Sequence, residues 1–416
     1  MKMERLTSDR LFSIDIIRGV ASLGILIMNV QLYSSVYAAY LNPVVTTAPT
    51  DPQYGFWIFS HIFSDQKFMT IFAILFGSDT LLFIERTKAG TPIAPLYYRR
   101  LFWLFILGMA HAYLMWSFDI LVAYSLCGAW VFLLRHKSPR WLFWAGILSI
   151  TMASFILAAL GQLLPWLPAD FSHHLQAAWY PDHAALDAET RAYRGGWLAQ
   201  MPVRAMHAWD MQTLYFAVWS FWRVSGLMCW GMALYKLHFF HGETAWSKPG
   251  WALLCLFSGV ALIATGIHQN EQHAWAFAYS QFAGLQFNYW GSLLVSAGYL
   301  LALMWLLGPH ICGFSPRNGP LAALMAVGRA PLSNYFLQTF LCTTIFYGHG
   351  FGMFGLVDRG EQWLVIMAVW ATQLVLSLCW MRRFRLGPVE WAWRSLSYGQ
   401  VLPIRRADTP EIPGLR

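Results

Sequence analysis

Three polar residues lie in an apolar stretch near the N-terminus that could cross a bilayer. Asp15, Arg18 and Asn29 occur within LFSIDIIRGVASLGILIMNV, between Leu11 and Val30. At about 100° per residue, spacings of three and eleven residues return a side chain to nearly the same helix face. Charged groups are costly near hydrocarbon, so they usually face a protein interior or a wet cavity. The stripe is therefore predicted to form one wall of the functional site.

A histidine between basic and acidic residues is the second candidate for chemistry. In RRLFWLFILGMAHAYLMWSFD, Arg99 and Arg100 precede His111, which shares a helix face with Arg100 about 16 Å along the axis. Imidazole exchanges a proton near neutral pH, and Asp119 follows closely enough to orient the ring. We predict a catalytic His111–Asp119 pair. The alternative is a structural, hydrogen-bonded histidine.

Lys67 lies in the second apolar stretch, which is too long and too polar for a simple span. A short helix ending near Ser64, followed by a span starting near Lys67, would explain that length. We predict that Lys67 contacts substrate. The alternative is that its ammonium snorkels to the membrane interface.

Two further polar groups lie near the C-terminus. In GRAPLSNYFLQTF, Arg329 precedes Asn334 and Gln338, which are four residues apart and share a helix face.

The last span is followed by RRFRLGPVEWAWRSL, where Pro388 can begin a helix in which Glu390 and Arg394 lie one turn apart. The alternative for this segment is an interfacial helix anchored by Trp391 and Trp393.

The composition places these residues in a membrane protein. Of 416 residues, 57% are hydrophobic and 12% charged, whereas soluble proteins are about 25% charged. We predict an all-α polytopic fold in the lipid bilayer, forming a single transmembrane domain over residues 1–416. Ten spans are predicted, at 16–36, 56–84, 100–116, 119–134, 141–164, 212–235, 250–268, 285–307, 330–348 and 362–381.

The distribution of basic residues orients these spans. Twenty lysines and arginines flank one side of the predicted topology and only four, Arg191, Arg194, Arg204 and Arg359, flank the other. The positive-inside rule then places both termini in the cytoplasm. The net charge of +8 is thus a topology signal, and no nucleic-acid partner is predicted. Residues 165–211 become an exported loop that folds back onto the membrane surface, and residues 382–416 a cytoplasmic tail.

No metal site or disulfide framework is predicted. The six cysteines are scattered through apolar segments without a CxxC pattern, which is typical of small core residues. The histidines of the exported loop match no standard ligand spacing.

The chain resembles the YeiB-like family of bacterial inner-membrane proteins. The resemblance rests on RLFSIDIIRGVASLGILIMNV, KFMTIFAILFG, RRLFWLFILGMAHAYLMWSFDILVAYSLCG, GRAPLSNYFLQTF and FRLGPVEWAWR, in that order. That family is similar to a wider transmembrane acyltransferase superfamily, which includes the lysosomal heparan-glucosaminide N-acetyltransferase. The match to the superfamily is Asp15, Arg18, Gly19 and Asn29, as D-x-x-R-G and an Asn eleven residues after the Arg.

The resemblance implies an enzyme that moves an acyl group from a cytoplasmic donor to an acceptor across the membrane. The donor would be acetyl-CoA or another acyl-CoA, and the acceptor an amine or hydroxyl, including that of a sugar or envelope glycan. The resemblance also makes a homodimer an expectation. One departure is informative: the lysosomal enzyme has its catalytic histidine soon after the first-span Asn, whereas residues 30–54 contain none. The nearest histidines are His61 and His111.

Within this hypothesis the polar residues have distinct roles. His111, oriented by Asp119, deprotonates the acceptor, and Asn29 donates to the developing oxyanion. Arginines bind the donor phosphates in forked geometry. The predicted donor-binding residues are Arg18, Arg99, Arg100, Arg329, Asn334 and Arg394. The predicted acceptor-binding residues are Asp15, Lys67, Gln338 and Glu390.

Two other functions fit the same pattern. A transporter or flippase for a small polar or lipid-linked solute also needs intramembrane charges and a wet cavity. The sequence shows no corresponding pair of interrupted helices, which argues against that reading. A scaffold of an envelope complex would use the charges as interior contacts.

Overall fold

The computed structural model describes residues 12–241, 248–311 and 319–406. Residues of the sequence analysis that lie outside these ranges are Cys312 and the last ten residues of the predicted tail, 407–416. Within the described ranges the chain is helical and has no strand, which confirms the all-α class.

Residues 12–212 contain eleven α-helices. They are α1 Phe12–Gly24, α2 Leu26–Ser34, α3 Tyr37–Leu41, α4 Pro52–Phe63, α5 Lys67–Arg86, α6 Ile93–Leu114, α7 Leu121–Val131, α8 Pro139–Leu163, α9 Ala169–Trp179, α10 His183–Arg194 and α11 Met201–Gln212.

The second half continues with α12 Phe221–Lys236, α13 Pro249–Gln272, α14 Phe277–Tyr279, α15 Leu285–Ile311, α16 Pro320–Arg329, α17 Pro331–Phe346, α18 Arg359–Arg383 and α19 Pro388–Tyr398. The helix predicted to start at Pro388 is α19. The short α16, directly before the ninth predicted span, was not predicted.

Each of the ten predicted spans lies on one or two of these helices. In the described part of the chain, six helical stretches are long and apolar enough to cross a membrane by length and composition. They are Phe12–Ser34, Pro52–Arg86, Pro139–Trp166, Pro249–Gln272, Phe277–Leu307 and Arg359–Arg383. The chain is therefore a multi-pass membrane protein.

Two of these stretches are irregular, and the irregular positions contact each other. The first has only a local irregularity between α1 and α2 at Ile25, whose backbone stays helical at φ −63° and ψ −28°. The second breaks between α4 and α5, at the position predicted from the excess length, where Gln66 adopts φ 63°. The Ser64 hydroxyl donates to the Gly24 carbonyl over 2.8 Å. This bond joins Ser64 to Gly24, so the two irregular positions lie side by side in the bundle.

Residues 165–211 form α9, α10 and most of α11, which pack onto the bundle. The indole of buried Trp179 donates to the Trp275 carbonyl at 2.9 Å, and Arg194 Nε donates to the Phe354 carbonyl at 2.7 Å. Arg204 is buried and donates to the Leu114 carbonyl at 2.9 Å. These contacts fix the loop as a cap over one end of the bundle.

Helices α1 and α16 approach so closely that glycine is required on both. A Cβ on Gly328 would lie 1.7 Å from the Asp15 carbonyl oxygen, and one on Gly19 would lie 2.1 Å from the Leu324 carbonyl oxygen. Small residues of this kind let membrane helices pack backbone against backbone. The contact holds Asp15 and Arg329 next to each other.

We expect Gly328→Ala to destabilise the protein, because its methyl group must push α1 and α16 apart. The cost should be roughly 1–3 kcal/mol, as for other overpacked sites, and thermal unfolding in detergent should show a lower midpoint. Gly55→Ala is the matched control, since a Cβ at Gly55 meets nothing within 4 Å. Equal midpoints for the two variants would contradict the close approach.

Candidate functional site: two cavities that meet at a neck

The first cavity, here called the basic cavity, has a volume of about 320 Å³. Its charged lining consists of five arginines and three carboxylates: Arg18, Arg86, Arg100, Arg329, Arg394, Asp15, Asp79 and Glu390. Phe72, Phe76 and Leu104 supply part of its apolar wall. It thus combines an excess of guanidinium groups with an apolar interior, which suits an anionic molecule that carries an apolar end.

An ion network forms the floor of the basic cavity. Arg18 Nη2 donates to both Asp79 oxygens at 2.7 Å, and Nη1 lies 3.4 Å from Asp15 Oδ1. Arg329 Nε reaches Asp15 Oδ2 at 3.3 Å. Hydrogen bonds between charged groups are roughly twice as strong as neutral ones, so Nη2 alone holds the Asp79 carboxylate against α1. The first-span charges therefore face a cavity, as predicted.

Arg100 lies between two aromatic rings at the cavity wall. Its guanidinium carbon is 4.3 Å from the Phe83 ring centroid and 4.6 Å from that of Trp393, on α19. Stacking of this kind leaves the edge of the guanidinium plane open to an anion. Arg394, predicted to bind the donor, also lines the cavity, whereas Arg99 is exposed and does not.

Glu390 lines the basic cavity, but its carboxylate caps α17. Oε1 accepts from the backbone N–H groups of Leu332 at 2.6 Å and Ser333 at 3.1 Å, and Oε2 accepts from the Ser333 hydroxyl. Burial raises the pKa of Glu390, and these donors oppose that shift. The predicted role in acceptor binding is corrected to a structural one, because both oxygens already have donors.

Asn334 and Gln338 both connect helices, but only Gln338 lines a cavity. Asn334 Nδ2 donates to the Ala330 carbonyl at 2.9 Å and to Ser377 Oγ at 3.0 Å. Gln338 Nε2 donates to the Ser22 carbonyl at 2.8 Å and to Gln373 Oε1 at 3.0 Å. Asn334 faces neither cavity, so its predicted role in donor binding is corrected to a structural one. Gln338 lines the basic cavity, and its contact with a ligand stays a prediction.

The second cavity, here called the aromatic cavity, has a volume of about 290 Å³. Its lining includes Tyr37, Tyr40, Trp179, Tyr215, Trp219 and Tyr289. Asp65 and Asp119 also line it, and no lysine or arginine of the described residues does. Phe171, Leu175 and Trp179 of the loop helix α9 form part of the wall, so the packed loop encloses this cavity. The two cavities differ in charge.

Irregular helix geometry is concentrated around the aromatic cavity. The break between α4 and α5 contributes Ser64, Asp65 and Gln66 to its lining. Two π-helical turns, Phe216–Ser220 and Ser280–Gly284, contribute Trp219 and Gln281 among others. π turns inside helices are frequent at functional sites. The distortions therefore make this cavity a candidate functional site.

A neck formed by Ile25, Ile120 and Tyr335 separates the cavities, and all three residues line both. The Tyr335 hydroxyl donates to Asp119 Oδ2 at 3.3 Å, and Asp119 lines the aromatic cavity. His111 Nδ1 lies 2.7 Å from the same oxygen. Asp119 Oδ1 accepts from the Val122 N–H at 3.0 Å. The predicted His111–Asp119 pair is thus assembled next to the neck.

His111 nevertheless contacts neither cavity. The side chains of His111 and Asp119 are 0% and 1% exposed, and His111 Nε2 bonds Thr339 Oγ1 at 2.9 Å. Thr339 Oγ1 in turn lies 2.7 Å from the Tyr33 hydroxyl. With both ring nitrogens facing protein groups, the imidazole can act on a substrate only through Asp119.

Lys67 is fully buried and lines neither cavity, so its predicted contact with substrate is corrected. Its ammonium donates to Asn288 Oδ1 at 2.8 Å and to the His61 carbonyl at 2.6 Å. Asn288 Nδ2 donates to Asp65 Oδ2 at 2.7 Å and so links the two charges. Snorkelling is also wrong, because the ammonium lies in the interior.

Asn29 lines the aromatic cavity, on the side of Ile25 opposite to Arg18. The stripe Asp15, Arg18, Asn29 therefore runs past the neck and contributes to both cavities. That continuity agrees with the prediction of a shared helix face, because the backbone stays helical at Ile25.

Sequence reasoning missed two groups at the site. Asp79 is a lone carboxylate near the end of the second apolar stretch, and its pairing with Arg18 needs two helices in contact. Tyr335 lies between Asn334 and Gln338 in a motif already singled out, but its phenol attracts no attention among 18 tyrosines. Spacing within one helix could have predicted neither the contact of Asp79 with Arg18 nor the place of Tyr335 at the neck.

Among the described residues no group of His, Cys, Asp and Glu side chains has the arrangement to hold a metal ion.

Sequence comparisons match the chain to bacterial proteins. A family model described as "Protein of unknown function (DUF418)" matches residues 234–400. The chain is 30% identical to YeiB of Escherichia coli (strain K12) over 394 residues, covering 94% of this chain and 96% of YeiB. It is 28% identical to YxaH of Bacillus subtilis (strain 168) over 422 residues, covering 96% and 97%. No solved structure gives a significant match. The chain belongs to the YeiB-like family.

Proposed function

We propose that the protein is a membrane acyltransferase of the bacterial inner membrane. It would transfer an acyl group, in the first instance acetyl, from a cytoplasmic acyl-CoA to an amine or hydroxyl acceptor on the outer side. The observation that carries the proposal is the meeting of a basic cavity and a differently charged aromatic cavity at a neck where Tyr335 contacts the Asp119–His111 pair. We also propose that the chain is related to the transmembrane acyltransferase superfamily.

The basic cavity suits the donor. Arg86 is exposed at the end of α5, and Arg100 is stacked deeper in the wall. Guanidinium groups match phosphate oxygens in forked geometry. The apolar wall of Phe72, Phe76 and Leu104 would accept the pantetheine arm and the acyl end, which would point toward the neck.

The neck suits stabilisation of the transition state. Attack on a thioester carbonyl places negative charge on its oxygen, and a donor aimed at that oxygen contributes substantially to the rate. The Tyr335 hydroxyl now makes a bond of 3.3 Å to Asp119, which is long for O–H···O. It can therefore turn to the carbonyl oxygen at little cost. Asp119 and His111 would position the phenol, and Asn29 would contact the acceptor.

Transport is the second candidate, and one observation favours it. The break at Ser64–Gln66 lies beside Gly24 and Ile25 at the neck, and interrupted helices at mid-membrane mark the binding sites of many transporters. A transporter would accumulate solute in vesicles without forming a covalent product, whereas the enzyme would consume acyl-CoA.

Acetyl-CoA should bind the purified protein, and Arg100→Ala should weaken that binding about tenfold or more, since a hydrogen bond to a charged group contributes about 1.5–3 kcal/mol. Isothermal titration calorimetry in detergent measures both. Arg99→Ala is the matched control, because the neighbouring guanidinium does not line the cavity. Equal weakening by both variants, or no binding of any acyl-CoA to folded protein, would contradict the donor site.

Tyr335→Phe should lower the release of CoA from acetyl-CoA by about 10²–10³-fold, the effect of removing one oxyanion donor. Release would be followed with a thiol reagent and a panel of amines and sugars as acceptors. His111→Ala should also lose turnover, because Asp119 loses the group that holds it. Both variants should still bind acetyl-CoA. Tyr98→Phe, which removes an exposed hydroxyl bonded to the Ala129 carbonyl, should be unaffected. Unchanged turnover in Tyr335→Phe would remove the phenol from the mechanism.

A further inference from the structure

A second histidine–carboxylate pair lies in the wall of the aromatic cavity. His61, in the last turn of α4, and Asp65, in the break before α5, both line that cavity. His61 Nδ1 lies 3.2 Å from Asp65 Oδ2, and their side chains are 12% and 9% exposed. In this respect the pair differs from His111, whose ring contacts neither cavity.

Asp65 is held in place by further donors. The Tyr40 hydroxyl donates to Asp65 Oδ1 at 2.9 Å, and Asn288 Nδ2 donates to Oδ2 at 2.7 Å. The His61 ring is held by stacking on Trp57, with centroids 4.6 Å apart and planes at 18°. Buried Lys67 bonds the His61 carbonyl and Asn288. Polar and aromatic neighbours thus support both members of the pair.

The geometry selects one tautomer of the imidazole. A carboxylate beside Nδ1 favours the proton on that nitrogen, which leaves the lone pair on Nε2. Among the described residues none forms a hydrogen bond with His61 Nε2, and the ring lies in the cavity wall. A nucleophile–base–orienting-group arrangement has this form, with the nucleophile supplied by a ligand in the cavity.

The pair also lies next to the neck. Ser64, between His61 and Asp65, donates to the Gly24 carbonyl, and Gly24 precedes the neck residue Ile25. A group bound against His61 therefore lies on the acceptor side of the position where the acyl carbonyl would be. Since Asp119 and His111 are already engaged with Tyr335 and Thr339, the neck pair is less suited to take the acceptor proton.

We propose that His61, oriented by Asp65, is the catalytic base that contacts the acceptor, and that the acceptor is a primary amine or hydroxyl bound in the aromatic cavity. The proposal rests on the acyltransferase function proposed above. Nε2 takes the proton from the acceptor N–H or O–H as nitrogen or oxygen bonds to the acyl carbon. The C–S bond of the thioester then breaks, and the proton passes from the imidazolium to the departing CoA thiolate. This assignment of His61 replaces the prediction that His111 is the catalytic base.

His61→Asn is the decisive variant. An asparagine amide can donate to Asp65 in place of Nδ1, but it has no group equivalent to Nε2. A purely structural His61 would therefore tolerate this change. We expect release of CoA from acetyl-CoA, with the same amine and sugar panel, to fall by about 100-fold or more. Binding of acetyl-CoA in the basic cavity should be unchanged. His61→Asn with wild-type turnover would overturn the proposal.

Chemical modification gives a test that needs no acceptor. Diethyl pyrocarbonate acylates unprotonated imidazoles that it can reach, and mass spectrometry of peptides locates the products. We expect His61 to be modified and His111 to be protected in the same sample, with exposed His173 as the positive control. Protection of His61 equal to that of His111 would overturn the proposal. If acetyl-CoA neither binds nor turns over while His61 reacts, the acyltransferase function is contradicted. The reaction then shows only that a small molecule can reach His61.

Discussion

The ion pair between Arg18 and Asp79 is the contact on which the interior of this protein depends. A guanidinium in the membrane interior is tolerated only when it is paired or faces water, and Arg18 has both a carboxylate and a cavity. The pair joins α1 to α5. Asp15, one turn away, carries the network on to Arg329 of α16. The glycines at 19 and 328 are required because these side chains can meet only if the backbones almost touch.

The two cavities above and below the neck differ in the charge of the residues that line them. Arginines surround the basic cavity, while the aromatic cavity has two carboxylates and no cationic side chain among the described residues. Glu390 ties α19 to α17 and thereby places Trp393 against Arg100. At the other end the packed loop encloses the aromatic cavity through α9. The peripheral helices thus shape the cavities that the central helices divide.

The sequence predicted where the helices lie, but it did not predict which side chains form contacts between helices. Apolar length located the helices on which the ten predicted spans lie, and six helical stretches of the described chain are long and apolar enough to cross a membrane. Excess length located the break before Lys67, because both signals depend on neighbours along the chain. The helix-face argument correctly took Asp15, Arg18 and Asn29 to a cavity wall. Lys67, Asn334 and Glu390 were misassigned because their partners, Asn288, Ser377 and Ser333, lie on other helices. The same reason hid the neck, since Ile25, Ile120 and Tyr335 come from three distant segments.

The central claim is that one route leads from the basic cavity through the neck to the aromatic cavity. The most direct test is a structure of the protein in lipid nanodiscs with a non-transferable acyl-CoA analogue. The account predicts phosphate density against Arg100 and acyl density between Ile25, Ile120 and Tyr335. Density for the whole analogue outside the basic cavity, or an acyl chain directed away from the neck, would contradict it.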